Sequence, residues 1–175
     1  VYDGAASLAE AMLMACDIKG KNKVVISGAL HPEYIETAET YGHGVGIEVN
    51  KTPYTQNYAT DWNTAEGMVD GGTAAFVIAV PNFFGTIDDV ARARAVAEKV
   101  GAMFIVAVNP ISLGLLKAPG EYGADIVVGE GQPLGNPLNF GGPYLGFMGA
   151  KKQYVRRLPG RIVGETKDAN GNRAF

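Results

Sequence analysis

The eight residues "TAAFVIAV", Thr73 to Val80, are polar only at the first position and show no alternation. A strand with one wet face alternates polar and apolar residues; a strand covered on both faces does not. Proline at 81 ends the run, so it predicts a central parallel strand with helices on both sides of its sheet. The segment that follows, "TIDDVARARAVAEKVG" (86–101), predicts a helix. Thr86 is the expected N-cap, Asp88 and Asp89 fall in the first turn, Lys99 in the last, and Gly101 lies beyond. "AMFIVAV" (102–108) then repeats the buried-strand character, and "ADIVVG" (124–129) repeats it again.

The same rhythm holds upstream. "KVVIS" (23–27) and "GVGIEV" (44–49) predict strands, while "HPEYIETAETYG" (31–42) predicts a helix with proline in its first turn and Gly42 as its stop. A further helix is expected near "WNTAEGMVDGG" (62–72). At the front, Asp3 or Gly4 caps a helix whose apolar positions Leu8, Met12, Leu13 and Cys16 recur at three and four, before Gly20 closes it. Strands separated by short helices make βαβ units, so the fold class is α/β with a mostly parallel, doubly wound sheet. "YLGFMGA" (144–150) is expected as an antiparallel strand, and residues 160–175 as an exposed tail.

The 175 residues suffice for one α/β domain, a size that buries roughly two thirds of its unfolded surface. With 47% hydrophobic and 19% charged residues and a formal charge of −3, the chain has no basic footprint for nucleic acid. Nor has it an apolar run near the ~20 residues of a membrane helix. One cysteine, Cys16, forms no internal disulfide, which fits a reducing, cytoplasmic compartment. The start at "VYDGAAS" and the end at "NGNRAF" read as those of a piece of a longer chain.

Sites in open α/β sheets form beyond the carboxyl ends of the strands. Here those loops are 27–31, 81–85, 109–112 and 129–142, and all are short of catalytic groups. His31, before Pro32, reads first as a cap and second as a general base or stacking group. Glu130 reads first as a backbone-bonding loop acid and second as an acid/base group. Two histidines and one cysteine make no zinc signature, and "GEG" lacks the spacing of a nucleotide fingerprint. No metal is expected. At the helix start "YDGAAS", Asp3 competes with any incoming phosphate.

Longer motifs carry a resemblance. "VYDGAASLAEAMLMA", "PNFFGTIDD", "VNPISLGLLKAPGEYGADIVVGEGQPLG", "FGGPYLGF" and "RLPGRIVGETKDANGNRAF" resemble the alpha-subunit branch of the glycine cleavage P-protein family, over essentially the whole chain. The resemblance implies the large domain of the fold-type I pyridoxal-phosphate (PLP) kind. It implies an aldehyde-holding lysine, a carboxylate for the pyridine nitrogen and a phosphate seat at a helix start. By the same resemblance Asn109 stands where the acid is expected, and Gly131 and Gln132 stand where catalytic relatives carry a histidine–lysine pair. Neither amide supplies the chemistry.

The implied role is therefore a non-catalytic subunit whose partner, a beta subunit or the C-terminal half of one polypeptide, carries the PLP. In the implied reaction glycine loses carbon dioxide and its aminomethyl group passes to the lipoyl H-protein. Candidates for an interface or for shaping the partner's site are His31, Asn82, Phe83, Phe84, Glu130, Asn139, Phe140, Gly141 and Gly142. Two alternatives stand beside this reading: an autonomous PLP enzyme using Lys117, Lys151 or Lys152, and an unrelated small-molecule-binding α/β module.

Overall fold

The computed structural model describes residues 1–138 and 140–175. Its main sheet contains β1 (Lys23–Ser27), β2 (Glu48–Thr52), β3 (Thr73–Val80), β4 (Met103–Val108), β5 (Ile126–Glu130) and β6 (Gly146–Ala150), in the order β2-β1-β3-β4-β5-β6. Five strands are parallel; β6 runs antiparallel to β5, as "YLGFMGA" led one to expect. β3 and β4 lie mid-sheet, and every residue of both except Ala79 is buried.

Four helices cover the two faces: α1 (Gly4–Lys19), α2 (Pro32–Val45), α3 (Trp62–Met68) and α4 (Val90–Lys99). On one face Leu8, Met12 and Cys16 of α1 and Ile35 and Ala38 of α2 pack with Val24, Ile26, Val77, Ile105 and Val128. On the other, Ala65 of α3 and Ala93, Val96 and Ala97 of α4 pack with Val25, Phe76, Ile78, Phe104 and Val106. Successive residues of β3 thus serve opposite cores, which is why its sequence does not alternate. The expected α/β, mostly parallel doubly wound fold is the one found.

Local boundaries differ from expectation at two helices, each for a visible reason. α4 starts at Val90 with Asp89 as N-cap, its carboxylate accepting from the Arg92 N–H at 3.0 Å. Thr86 is not the cap, because its N–H donates to Asn82 Oδ1, and Asp88 is turned inward. α2 runs through Gly42 to Val45 and closes at Gly46, whose φ of 72° is the left-handed conformation of a helix end. Gly42 is instead a packing glycine: a Cβ there would press on the Ile47 carbonyl at 3.0 Å.

Asp125, just before β5, is 7% exposed and ties four elements together. Its carboxylate accepts from the Phe104 N–H of β4 at 2.9 Å, from Arg94 of α4 at 3.2 Å and from Lys151, after β6, at 2.7 Å. Residues 161–173 are exposed, and a two-stranded ribbon, β7 (Thr166–Lys167) with β8 (Arg173–Ala174), lies at this end of the chain.

Candidate functional site

The sheet order reverses between β1, which leads outward to β2, and β3, which leads the other way. Connections depart to opposite faces at such a point and leave a crevice beyond the strand ends. A cavity of 210 Å³ lies there. Leu30 and His31 line it from the end of β1, Pro81, Asn82 and Phe83 from β3, Asn109 from β4, and Glu130 and Pro133 from β5.

His31 is the N-cap of α2, its Nδ1 accepting from the Glu33 N–H at 3.3 Å. That cap leaves one face of the ring for aromatic contact: Phe83 meets it edge-on at 4.8 Å and Tyr34 lies at 5.5 Å. Phe83 continues to Phe84 at 5.4 Å, and Phe84 to Tyr58 at 4.7 Å and Tyr54 at 4.9 Å. A row of rings therefore runs from the cavity to the surface, where Tyr54, Tyr58, Phe83 and Phe84 are all exposed.

Polar side chains fix this row from beneath. Asn82, 6% exposed, donates from Nδ2 to the Tyr58 carbonyl at 2.7 Å and accepts at Oδ1 from the Phe84 and Thr86 N–H groups, both at 3.0 Å. Asp88 accepts from the Thr60 N–H and hydroxyl at 2.8 and 2.9 Å, and Thr60 in turn shares a 2.7 Å hydrogen bond with Ser27 at the end of β1. Buried hydrogen-bond chains of this kind hold two loops in one arrangement.

At β4 the Asn109 amide oxygen accepts from the Ile111 N–H at 3.0 Å and caps the turn Pro110–Gly114. At β5 the Gln132 Nε2 donates to the Asn136 carbonyl at 2.8 Å. A Cβ on Gly131 would press on Leu145 at 3.1 Å, so even the start of a histidine side chain is crowded. An aldehyde cofactor that needs an amine and a carboxylate at these places does not fit the residues present. Glu130 accepts from the N–H groups of Gly4, Gln132 and Leu145, the backbone-bonding role that its sequence context suggested first.

Among the other candidates, Phe140, Gly141 and Gly142 sit in the loop before β6, with Phe140 wholly exposed at a φ of 53°; they do not line the cavity. Asn139 lies outside the described residues. Lys151 is held by Asp125 at the opposite end of β5 from the cavity, and Lys117 and Lys152 are exposed. Tyr34 is a cavity residue that the sequence reading passed over. Its spacing of three from His31 puts both on one helical face, which is the signal that would have found it. Among the described residues, no group of three or more His, Cys, Asp or Glu is placed to hold a metal ion, and no helix is long and apolar enough to cross a membrane.

Residues 1–175 match the family described as glycine cleavage system P-protein. The chain is 53% identical over 175 residues to the probable glycine dehydrogenase (decarboxylating) subunit 1 of Desulfitobacterium hafniense, covering all of this chain and 39% of that protein. It is 51% identical over 174 residues to its counterpart in Moorella thermoacetica, again covering 39% of the relative. The chain thus spans about two fifths of the length of the curated relatives it matches. A crystal structure of the glycine decarboxylase (P-protein) of the glycine cleavage system, in inhibitor-bound form, superposes with a TM-score of 0.88 at 41% identity, over 99% of this chain and 38% of that one. The Escherichia coli cysteine desulfurase CsdA, at 16% identity and a TM-score of 0.69, shares the fold.

Proposed function

The chain belongs to the glycine cleavage system P-protein family, and on that premise we propose that it is the non-catalytic partner in a glycine-decarboxylating enzyme. One observation carries the reading. At the strand end where a tethering lysine is expected stands Gln132, its amide bound to the Asn136 carbonyl, beside a Gly131 whose added side chain would crowd Leu145. PLP, held by the beta subunit or by the other half of one polypeptide, supplies the electron sink for loss of carbon dioxide from glycine. This chain's residues orient and enclose. The aromatic row from Tyr34 to Tyr58, stitched from below by Asn82 and Asp88, forms a preorganised surface for that partner. Permanent interfaces favour such rigid aromatic anchors, which lose little entropy on docking.

Glu130 is committed to three backbone donors and the Nδ1 of His31 to a cap, which favours a supporting over a proton-transferring role for them. Lipoyl H-protein is the acceptor of the aminomethyl group in this scheme. The test is exchange of labelled bicarbonate into the glycine carboxyl group by the lysine-bearing partner, with and without this chain. Exchange is expected only when both are present; exchange by either alone at the full rate contradicts the proposal.

A further inference from the structure

Three fixtures are needed to hold a phosphorylated aldehyde: an amine, an acid and an anion seat at a helix start. Asn109 and Gln132 remove the first two. The N-terminus of α1, a helix start that meets the cavity through Glu130, differs from both. Here nothing is missing; the place is filled.

Glu130, the last residue of β5, extends its carboxylate to the start of α1. Oε2 accepts from the Gly4 N–H at 2.9 Å, while Oε1 accepts from the Gln132 and Leu145 N–H groups, both at 2.8 Å. These donors come from three segments, separated from Glu130 by 126, 2 and 15 residues. Asp3 adds a second carboxylate, accepting from the Ala6 N–H at 2.6 Å, and the Asp3 carbonyl accepts from the Ser7 N–H at 2.9 Å. An anion arriving here would meet two negative charges and find the Gly4, Ala6 and Ser7 N–H groups already in use, with the buried Ser7 hydroxyl left unpartnered among the described residues.

Space tells the same story. A Cβ on Gly4 would overlap the Tyr34 hydroxyl and touch Glu130 Cβ at 3.0 Å. On the far side, a Cβ on Gly146 would overlap the Asp3 carbonyl and the Ser7 hydroxyl. The helix start is wedged between Tyr34 of α2 and Gly146 of β6.

We infer that Glu130 is a built-in anion: it occupies the α1 helix start, a natural seat for a phosphate, and so closes that seat to phosphorylated ligands. The cavity left beside it mixes apolar residues such as Leu30, Ala107 and Val108 with the polar His31, Asn82 and Asn109, and the Glu130 charge beside it disfavours an anion. This inference rests on the non-catalytic reading above, because a chain that held PLP would need the seat open.

The test follows the Gly4 amide in the full chain, identified by pairwise labelling as one of two Asp–Gly peptides, the other being Asp70–Gly71. Inorganic phosphate and PLP are titrated separately. In the native chain the Gly4 resonance is expected to stay in place with both. In Glu130→Ala, which frees three donors at once, phosphate is expected to shift Gly4 saturably, with an affinity at least tenfold above the native chain's. A saturable Gly4 shift in the native chain, or the same phosphate affinity in both, overturns the inference. Should Glu130→Ala fail to fold, Glu130→Gln keeps the shape without the charge and is expected to gain phosphate affinity in the same direction; no gain overturns it. Borohydride reduction of the PLP sample separates the two levels. A Gly4 shift without a trapped lysine sinks only the closed seat, whereas a trapped lysine in this chain sinks the non-catalytic reading.

Discussion

Tyr34 reports on the closed seat one side chain at a time. Burial is the main cause that pushes its phenol up to about 12, and the negative charges of Glu130 and Asp3 act in the same direction. The folded state therefore keeps a proton that the unfolded chain releases near pH 10. The associated stability is complete below that pH and is lost as pH rises through about 12. Glu130→Gln is expected to lower the Tyr34 pKa while leaving it above the ordinary tyrosine value of about 10, since burial remains. Ultraviolet titration with Tyr34→Phe as reference reads the change; an unchanged or higher value contradicts the placement of the Glu130 charge. Glu130 itself shows the limit of reading residues in order. Its local context gave the right role, but its donors at Gly4 and Leu145 are remote in the chain, so the pattern around it held no trace of them.

Elements were legible where burial decides and illegible where side chains compete for backbone. The unbroken apolar runs 73–80 and 103–108 became the two central strands, because residues covered on both faces leave a plain signature, and "YLGFMGA" became the half-covered antiparallel edge. The start of α4 was displaced because Asp88 satisfies Thr60 across 28 residues instead of serving the helix. Similarly, Asp125 gives no local sign that it joins β4, α4 and the segment after β6. Asp125→Ala leaves the buried Phe104 N–H without an acceptor and Lys151 without its ion-pair partner, while Arg94 keeps Glu98 and both cations keep the Gly123 carbonyl. The cost is expected to be about 2–3 kcal/mol, reduced from the fully buried case because both cations are partly exposed. Chemical denaturation measures it, and a loss under about 0.5 kcal/mol would show that the cluster is incidental.

At the scale of the whole molecule, the chain keeps the architecture of a cofactor domain and turns the strand-end region into a surface. The crevice stands at the reversal of strand order, where the fold puts ligands, and its rim is aromatic. Phe83→Ala with Phe84→Ala is expected to leave the melting behaviour close to native, because both rings are exposed, while weakening association with the proposed lysine-bearing partner at least tenfold, about 1.4 kcal/mol. Analytical ultracentrifugation of the mixed subunits reads the affinity; unchanged association would place the interface elsewhere. The most direct measurement on the central claim is reductive trapping in the assembled complex, with PLP and borohydride followed by peptide mapping of both polypeptides. The pyridoxyl group is expected on one lysine of the partner and on no peptide of this chain. A stoichiometric pyridoxyl adduct on Lys117, Lys151 or any other lysine of this chain would contradict the account.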